Sequence, residues 1–306
     1  MHASAALPST DWIELGGLRV RLISGGGLRL DGGAMFGIIP RNLWARVIKP
    51  DDQNRISLAC NCLLVEWDGP GCRRMIVETG HGEKYLDKER GIFAIDPTHW
   101  LATSLAECSV DPRSINDVIV THLHFDHAGG LTRTAGDRLA PTFPAAHVHV
   151  QQAEFTDARA NFGIMTLTYR EENYTAIDAA GLWNPLNGPS LDEFERSIPS
   201  HASPSPIAPG VWPVRTPGHT RGHQSVLIVG RDASLLFLGD VMPTRHHLHP
   251  PYNMGYDLFP LDNRDTKRRM LTLAARLDWL VAIDHEIEQP IVRVRPERDW
   301  FAVEPL

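Results

Sequence analysis

The chain has 306 residues, 42% hydrophobic and 22% charged, the balance of a globular protein whose core is large enough to need no disulfides. Thirty Lys and Arg against 37 Asp and Glu leave a net charge of −7, which argues against a broad nucleic-acid surface. No run approaches the ~20 apolar residues of a membrane helix, and residues 1–14 lack the basic start and long apolar stretch of a signal peptide.

Residues 18–23 alternate apolar and basic side chains, as a half-exposed strand does. Gly25-Gly26-Gly27 and Asp31-Gly32-Gly33 then mark turns. The apolar stretch that follows, with Met35, Phe36, Ile38 and Trp44, fits a substrate-pocket wall or ordinary core packing. Residues 56–67 and 74–79 read as strands joined by a turn at 68–71. His81 reads as a surface histidine. Residues 98–107 read as a helix capped by Thr98. Cys60, Cys62, Cys72 and Cys108 form no C-x-x-C pair, and so few cysteines point to reduced thiols in a cytoplasmic setting.

Residues 117–120 form a short apolar strand that runs into Thr121-His122-Leu123-His124-Phe125-Asp126-His127-Ala128-Gly129-Gly130. Three histidines and a carboxylate fall within six residues, in the pattern H-x-H-x-D-H. His122 and His124 share a face of an extended segment, and small residues then let the chain turn. Imidazole and carboxylate are the usual non-sulfur ligands of zinc and related divalent ions. Farther on, His147-Val148-His149-Val150 repeats H-x-H without a following Asp-His, and reads as a strand leading into a helix. Residues 169–180 have helical character and 181–190 that of a loop. Residues 161–209 form the least regular segment, expected to cover the active site or build a subunit contact. Residues 211–216, 224–229 and 235–238 read as strands. Residues 261–280 read as a helix, with Met270, Leu271, Leu273, Ala274 and Leu277 on the sheet and Lys267, Arg268 and Arg269 on a solvated face.

The H-x-H-x-D-H segment resembles the signature of the metallo-β-lactamase superfamily. Pro217-Gly218-His219-Thr220, Phe237-Leu238-Gly239-Asp240 and Ile283-Asp284-His285-Glu286 follow in the family's order, each after an apolar run. Met75-Ile76-Val77-Glu78-Thr79-Gly80 is also similar, with Glu78 where the family carries Asp. The resemblance implies one α+β domain over 1–306, a four-layer αβ/βα sandwich with the metals at one edge of its sheets. It implies that His122, His124 and His219 hold one metal, Asp126, His127 and His285 the other, and Asp240 bridges them. His223 is then a supporting residue rather than a ligand.

Two metals can share a water and lower its pKa toward neutrality, giving a hydroxide that attacks a carbonyl or phosphoryl centre. Asp126 can pass a proton to the leaving group. Zinc is the expected ion, with iron, cobalt or manganese as alternatives on similar ligands. The motif, with Thr216-Pro217-Gly218-His219-Thr220 and Gly222-His223-Gln224-Ser225, is most similar to the N-acyl-homoserine lactonases, which implies a small-molecule lactone substrate and a homodimer. Those lactonases often carry a tyrosine three residues after the bridging aspartate, where this chain has Pro243. Tyr252, Tyr256 and His246 are the candidates to replace it. Hydrolysis of aryl esters or phosphotriesters is the alternative activity, and a non-catalytic ligand-binding protein of the same fold is the alternative class.

Overall fold

A computed structural model describes residues 7–69, 72–160 and 168–306. Among them, strands β1 (Ile13–Glu14), β2 (Leu18–Asp31), β3 (Arg55–Trp67), β4 (Arg74–Val77), β5 (Asp117–Ile119), β8 (His147–Gln151) and β9 (Trp183–Leu186) form one sheet, in the order β1-β2-β3-β4-β5-β8-β9. The ribbon β6 (Thr132–Ala135) and β7 (Arg138–Pro141) stands apart. Strands β10 (Val211–Arg215), β11 (Gln224–Val229), β12 (Ser234–Phe237), β13 (Leu280–Ala282), β14 (Ile291–Glu297) and β15 (Trp300–Pro305) form the second sheet in sequence order.

The strand sequences account for the layering. In β11 every residue is buried, because alternate side chains enter different cores. Val226 and Ile228 pack between the sheets with Leu235, Phe237, Val65 and Val77. Leu227 and Val229 face outward into a cluster with Leu236, Met270 and Leu271 of the helix Pro260–Arg276. The first sheet does the same: Val77 and Ile119 point to the central core, while Ile76 and Val118 meet Leu101 and Leu105 of the helix Leu101–Glu107. Helix, sheet, sheet, helix is the four-layer αβ/βα sandwich.

Several local expectations need correction. Gly25-Gly26-Gly27 lies within β2 and is no turn; the strand continues through a bulge between Ser24 and Gly27. Gly26, at φ +110°, leaves room for a buried ring, since a Cβ there would stand 2.0 Å from Nε2 of His81. His81 is accordingly buried, not on the surface. Asp31 caps the short helix Gly32–Phe36 by accepting from Ala34 N at 2.8 Å. The helix expected over 98–107 starts at Leu101, because Thr98 turns back to Asp96. Residues 183–186, expected in a loop, form the edge strand β9, where Pro185 is tolerated. The irregular segment also holds the capped helix Leu191–Arg196. Lys267 is 1% exposed instead of solvated, because its ammonium donates to the carbonyls of His247, His249 and Tyr252 at 2.8, 3.3 and 3.0 Å. Leu277, expected on the sheet, is exposed. The turn at 70–71 and the start of the 161–209 segment lie outside the described residues.

Candidate metal centre

Each candidate ligand follows the carboxyl end of a strand. The parallel pairs β4–β5 and β12–β13 send their following loops to one edge, where ligand sites of such sheets gather. From β5 come His122, His124, Asp126 and His127, the last two on the turn Phe125–Ala128. His219 follows β10, Asp240 follows β12 and His285 follows β13. Asn61 on β3 pins this last loop, donating to the carbonyls of Ile283 and Glu286 at 2.9 and 2.7 Å.

Two groups of buried donor atoms result, each lying within 4.8 Å of one another: His122, His124 and His219, and His127, Asp240, Asp284 and His285. Asp240 stands between them. Its Oδ2 is 3.2 Å from His219 Nε2 and its Oδ1 is 3.1 Å from His285 Nε2. Asp126 lies at the margin of the second group, with Oδ2 3.8 Å from His285 Nε2 and Oδ1 3.8 Å from His127 Nε2. Asp284, which motif reasoning passed over, has Oδ2 3.1 Å from His127 Nδ1. Its place beside His285 in the sequence was the available signal.

The hydrogen-bond pattern tests whether these residues fit a metal. His285 Nδ1 lies 2.7 Å from the carbonyl of Ala59, which can only accept, so Nδ1 carries a proton and Nε2 is the nitrogen left to ligate. His219 Nδ1 lies 2.9 Å from Oδ1 of Asp257, so its Nε2 is likewise the nitrogen left to ligate. Both Nε2 atoms point at the Asp240 carboxylate, and His219 Nε2 also faces His124 Nδ1 at 3.0 Å. Electron-rich atoms placed this way repel unless a cation or extra protons lie among them. Burial lowers the pKa values of His122 and His124 well below the ordinary value, favouring the neutral, ligating form. Burial also opposes charge on His127 and His285, but Asp126 with Asp284 and Asp240 around His127, and Asp240 with Asp284 around His285, outweigh it and raise both. Among the described residues His122 Nε2, His127 Nε2, Asp240 Oδ1 and Asp284 Oδ2 are buried without a hydrogen-bond partner. A donor set of imidazoles and carboxylates left unpaired fits divalent cations.

Supporting contacts hold this arrangement. Glu78 Oε1 accepts from Thr121 N at 2.6 Å, and its Oε2 stands 3.5 Å from His127 Nδ1. His223 Nε2 accepts from Asp240 N at 3.1 Å while its Nδ1 meets Thr216 Oγ1; it is a brace, not a member of either group. Glu154 accepts from Leu123 N, Thr220 and Tyr169. His149 is bound to Asp117 at 2.8 Å, away from the centre.

A cavity of about 150 Å³ opens onto His124, Asp126, His219, Asp240 and His285, walled by Leu30, Met35, Phe93, Phe125, Met254 and Tyr256, with Thr168. Of the pocket candidates, Met35 and Tyr256 line it. Phe36 and Trp44 are buried behind it, stacked at 5.4 Å. Ile38 is 83% exposed and is corrected to a surface residue. Tyr252 packs edge-on against Phe36. His246 faces a neighbouring cavity that shares His285. At Pro243, where a tyrosine was expected from the lactonase resemblance, the backbone carbonyl accepts from His285 N at 2.8 Å.

Residues 56–285 match the metallo-β-lactamase superfamily. The chain belongs to this superfamily. A probable metallo-hydrolase of Mycobacterium tuberculosis is 31% identical over 209 residues, covering 66% of this chain and 62% of the relative, so the match spans less than two thirds of that protein's length. An N-acyl homoserine lactonase of Bacillus cereus is 28% identical over 77% of this chain and 84% of its own. In structure, a probable metal-dependent hydrolase from Staphylococcus aureus superposes with a TM-score of 0.81 at 25% identity, over 96% of this chain and 99% of its own. The fold of that hydrolase is thus shared across nearly the whole chain. Among the described residues no helix is long and apolar enough to cross a membrane.

Proposed function

We propose that this superfamily member is a dinuclear metal-dependent hydrolase that opens lactones. The observation that carries the reading is Asp240, whose two oxygens each face an imidazole Nε2 of a different cluster. His122, His124 and His219 would hold one ion and His127, His285 and Asp126 the other, with Asp240 common to both. When bound, such a pair lowers the pKa of a shared water and polarises the attacked carbonyl.

The chain's own residues supply the rest. The apolar wall from Leu30, Met35 and Met254 excludes water and receives an acyl chain. Tyr256 is protonated at neutral pH, and burial pushes its pKa further up, to about 12, so its phenol can donate to a substrate oxygen. Asp126 lines the same cavity and carries a proton to the leaving alkoxide. The named lactonase relative supports the lactone over other carbonyl substrates.

Phe93, Phe125 and Tyr256 around the cavity favour a second reading, hydrolysis of aryl esters or phosphotriesters. Purified protein loaded with zinc, and in parallel with iron, cobalt or manganese, is assayed on acyl-homoserine lactones of varied chain length and on a paraoxon-like ester. Lactone turnover well above ester turnover is expected. The reverse order would replace the first reading with the second, and a protein that binds no metal would defeat both. Light scattering on the same sample tests the homodimer implied by the lactonase resemblance.

A further inference from the structure

His219 is held by a segment that also builds the cavity wall. Its Nδ1–H donates to Asp257 Oδ1 at 2.9 Å, and this fixes Nε2 as the atom facing His124 and Asp240. Asp257 is buried and its second oxygen is fully engaged: Oδ2 accepts from Asn253 Nδ2 and Asn263 Nδ2, each at 2.9 Å, and from Met254 N at 3.2 Å. Leu258 N and Phe259 N donate to the carbonyls of His219 and Gly218, at 3.0 and 2.9 Å. Gly255 N donates to the Ala34 carbonyl at 2.7 Å, next to Met35. Gly37, at φ +53°, lets that part of the wall close on the segment, because a Cβ there would come within 2.7 Å of the Asn253 carbonyl. Met254 and Tyr256, flanking Gly255, line the cavity.

We infer that Asp257 is a positioning residue joining two functions. It sets the tautomer and orientation that turn His219 Nε2 toward the first metal, and it ties that orientation to the wall residues Met254 and Tyr256. Carboxylates that accept from the far nitrogen of a ligating histidine orient the ring and raise its basicity, and their loss weakens metal affinity about 10–100-fold. The inference rests on the reading of the two clusters as metal sites.

The test uses full-length zinc-loaded protein, wild type, Asp257→Asn and Asp257→Ala, with zinc retention followed against a competing chelator. The cobalt(II)-loaded forms are compared by visible spectrum, and KM and kcat are measured on the best substrate. In Asp257→Ala one of two equivalents is expected to leave at about 10–100-fold lower chelator concentration, with a changed cobalt spectrum, a raised KM and the other equivalent retained as in wild type. Asp257→Asn, which keeps the shape and one accepting oxygen, is expected to fall between. If the alanine variant does not fold, the asparagine variant decides by the same readouts. Wild-type retention of both ions and an unchanged spectrum in the variants would overturn the inference. So would equal loss of both ions together with a lower melting temperature of the metal-free form, which marks general fold support. A wild type that holds no zinc would remove the metal reading itself, and is seen before any variant is compared.

Discussion

The two clusters at the sheet edge are built from different materials. His122, His124 and His219 present imidazoles alone, and burial keeps His122 and His124 neutral. The second cluster sets Asp240 and Asp284, with Asp126 at its margin, around His127 and His285, whose pKa values these carboxylates raise against the pull of burial. An all-imidazole cage gives a cation ligands but no charge compensation of its own. A carboxylate-rich cage gives both, and in the absence of a cation it carries the greater electrostatic penalty. The difference teaches that Asp240 does unequal work on its two sides. It is the carboxylate that faces the ligating Nε2 of His219 in the first cluster, and one of several at the second.

The strongest way to break this comparison is Asp240→Ala. Removing the carboxylate common to both clusters is expected to lower kcat/KM by roughly three orders of magnitude or more, since charge stabilisation worth several kcal/mol is lost. Elemental analysis should show the first cluster losing its ion more completely than the second, and equal retention would contradict the asymmetry.

A smaller effect concerns a histidine outside both clusters. His247, stacked on Phe36 at 4.7 Å and bonded to Thr244 and the Met35 carbonyl, is lowered by burial to about 3. With the folded value below the unfolded one of about 6.5, its contribution to stability is complete above pH 6.5 and is lost as pH falls toward 3. By pH 4 the loss is on the order of 3 kcal/mol. Urea unfolding at pH 7 and pH 4 should therefore show a smaller pH-dependent loss in His247→Gln than in wild type. Identical pH dependence would separate acid lability from the fold around Phe36 and assign it to the clusters.

Asp284→Asn sharpens the comparison within the second cluster. It is expected to weaken metal binding there about 10–100-fold and leave the first cluster's ion in place, as read by chelator competition. Ile38→Ser sets the floor: a side chain so exposed should change stability by no more than ~0.5 kcal/mol in thermal unfolding and leave KM unchanged.

Much of the fold was legible because its strands carry either period-two patterns, as in residues 18–23, or short continuous apolar runs, as in residues 226–229. The candidate ligands were legible because the loops that hold them are short and chemically dense. What was hidden depended on partners distant in sequence. Lys267 sits at a helical position that looks solvated, and only the carbonyls of a loop fifteen to twenty residues upstream make it a buried clamp. Gly25-Gly26-Gly27 has the composition of a turn, yet it is strand because Cys62 and His81 press against it. Asp257 carries no motif; its role follows from the packing of its segment on the His219 loop. The chemistry at the sheet edge was local, whereas its supports are tertiary.

Asn61 holds a last consequence. By pinning the loop of His285 to β3, it stitches one sheet to the other at the metal centre. An ion bound by His122 and His124 from one half and His219 and Asp240 from the other would act as a rivet across that seam. Its binding energy would then add to folding energy as RT ln(1 + [M]/Kd), or about 4 kcal/mol at a thousandfold excess over Kd, and the melting temperature would report the free metal concentration of the solution around the protein.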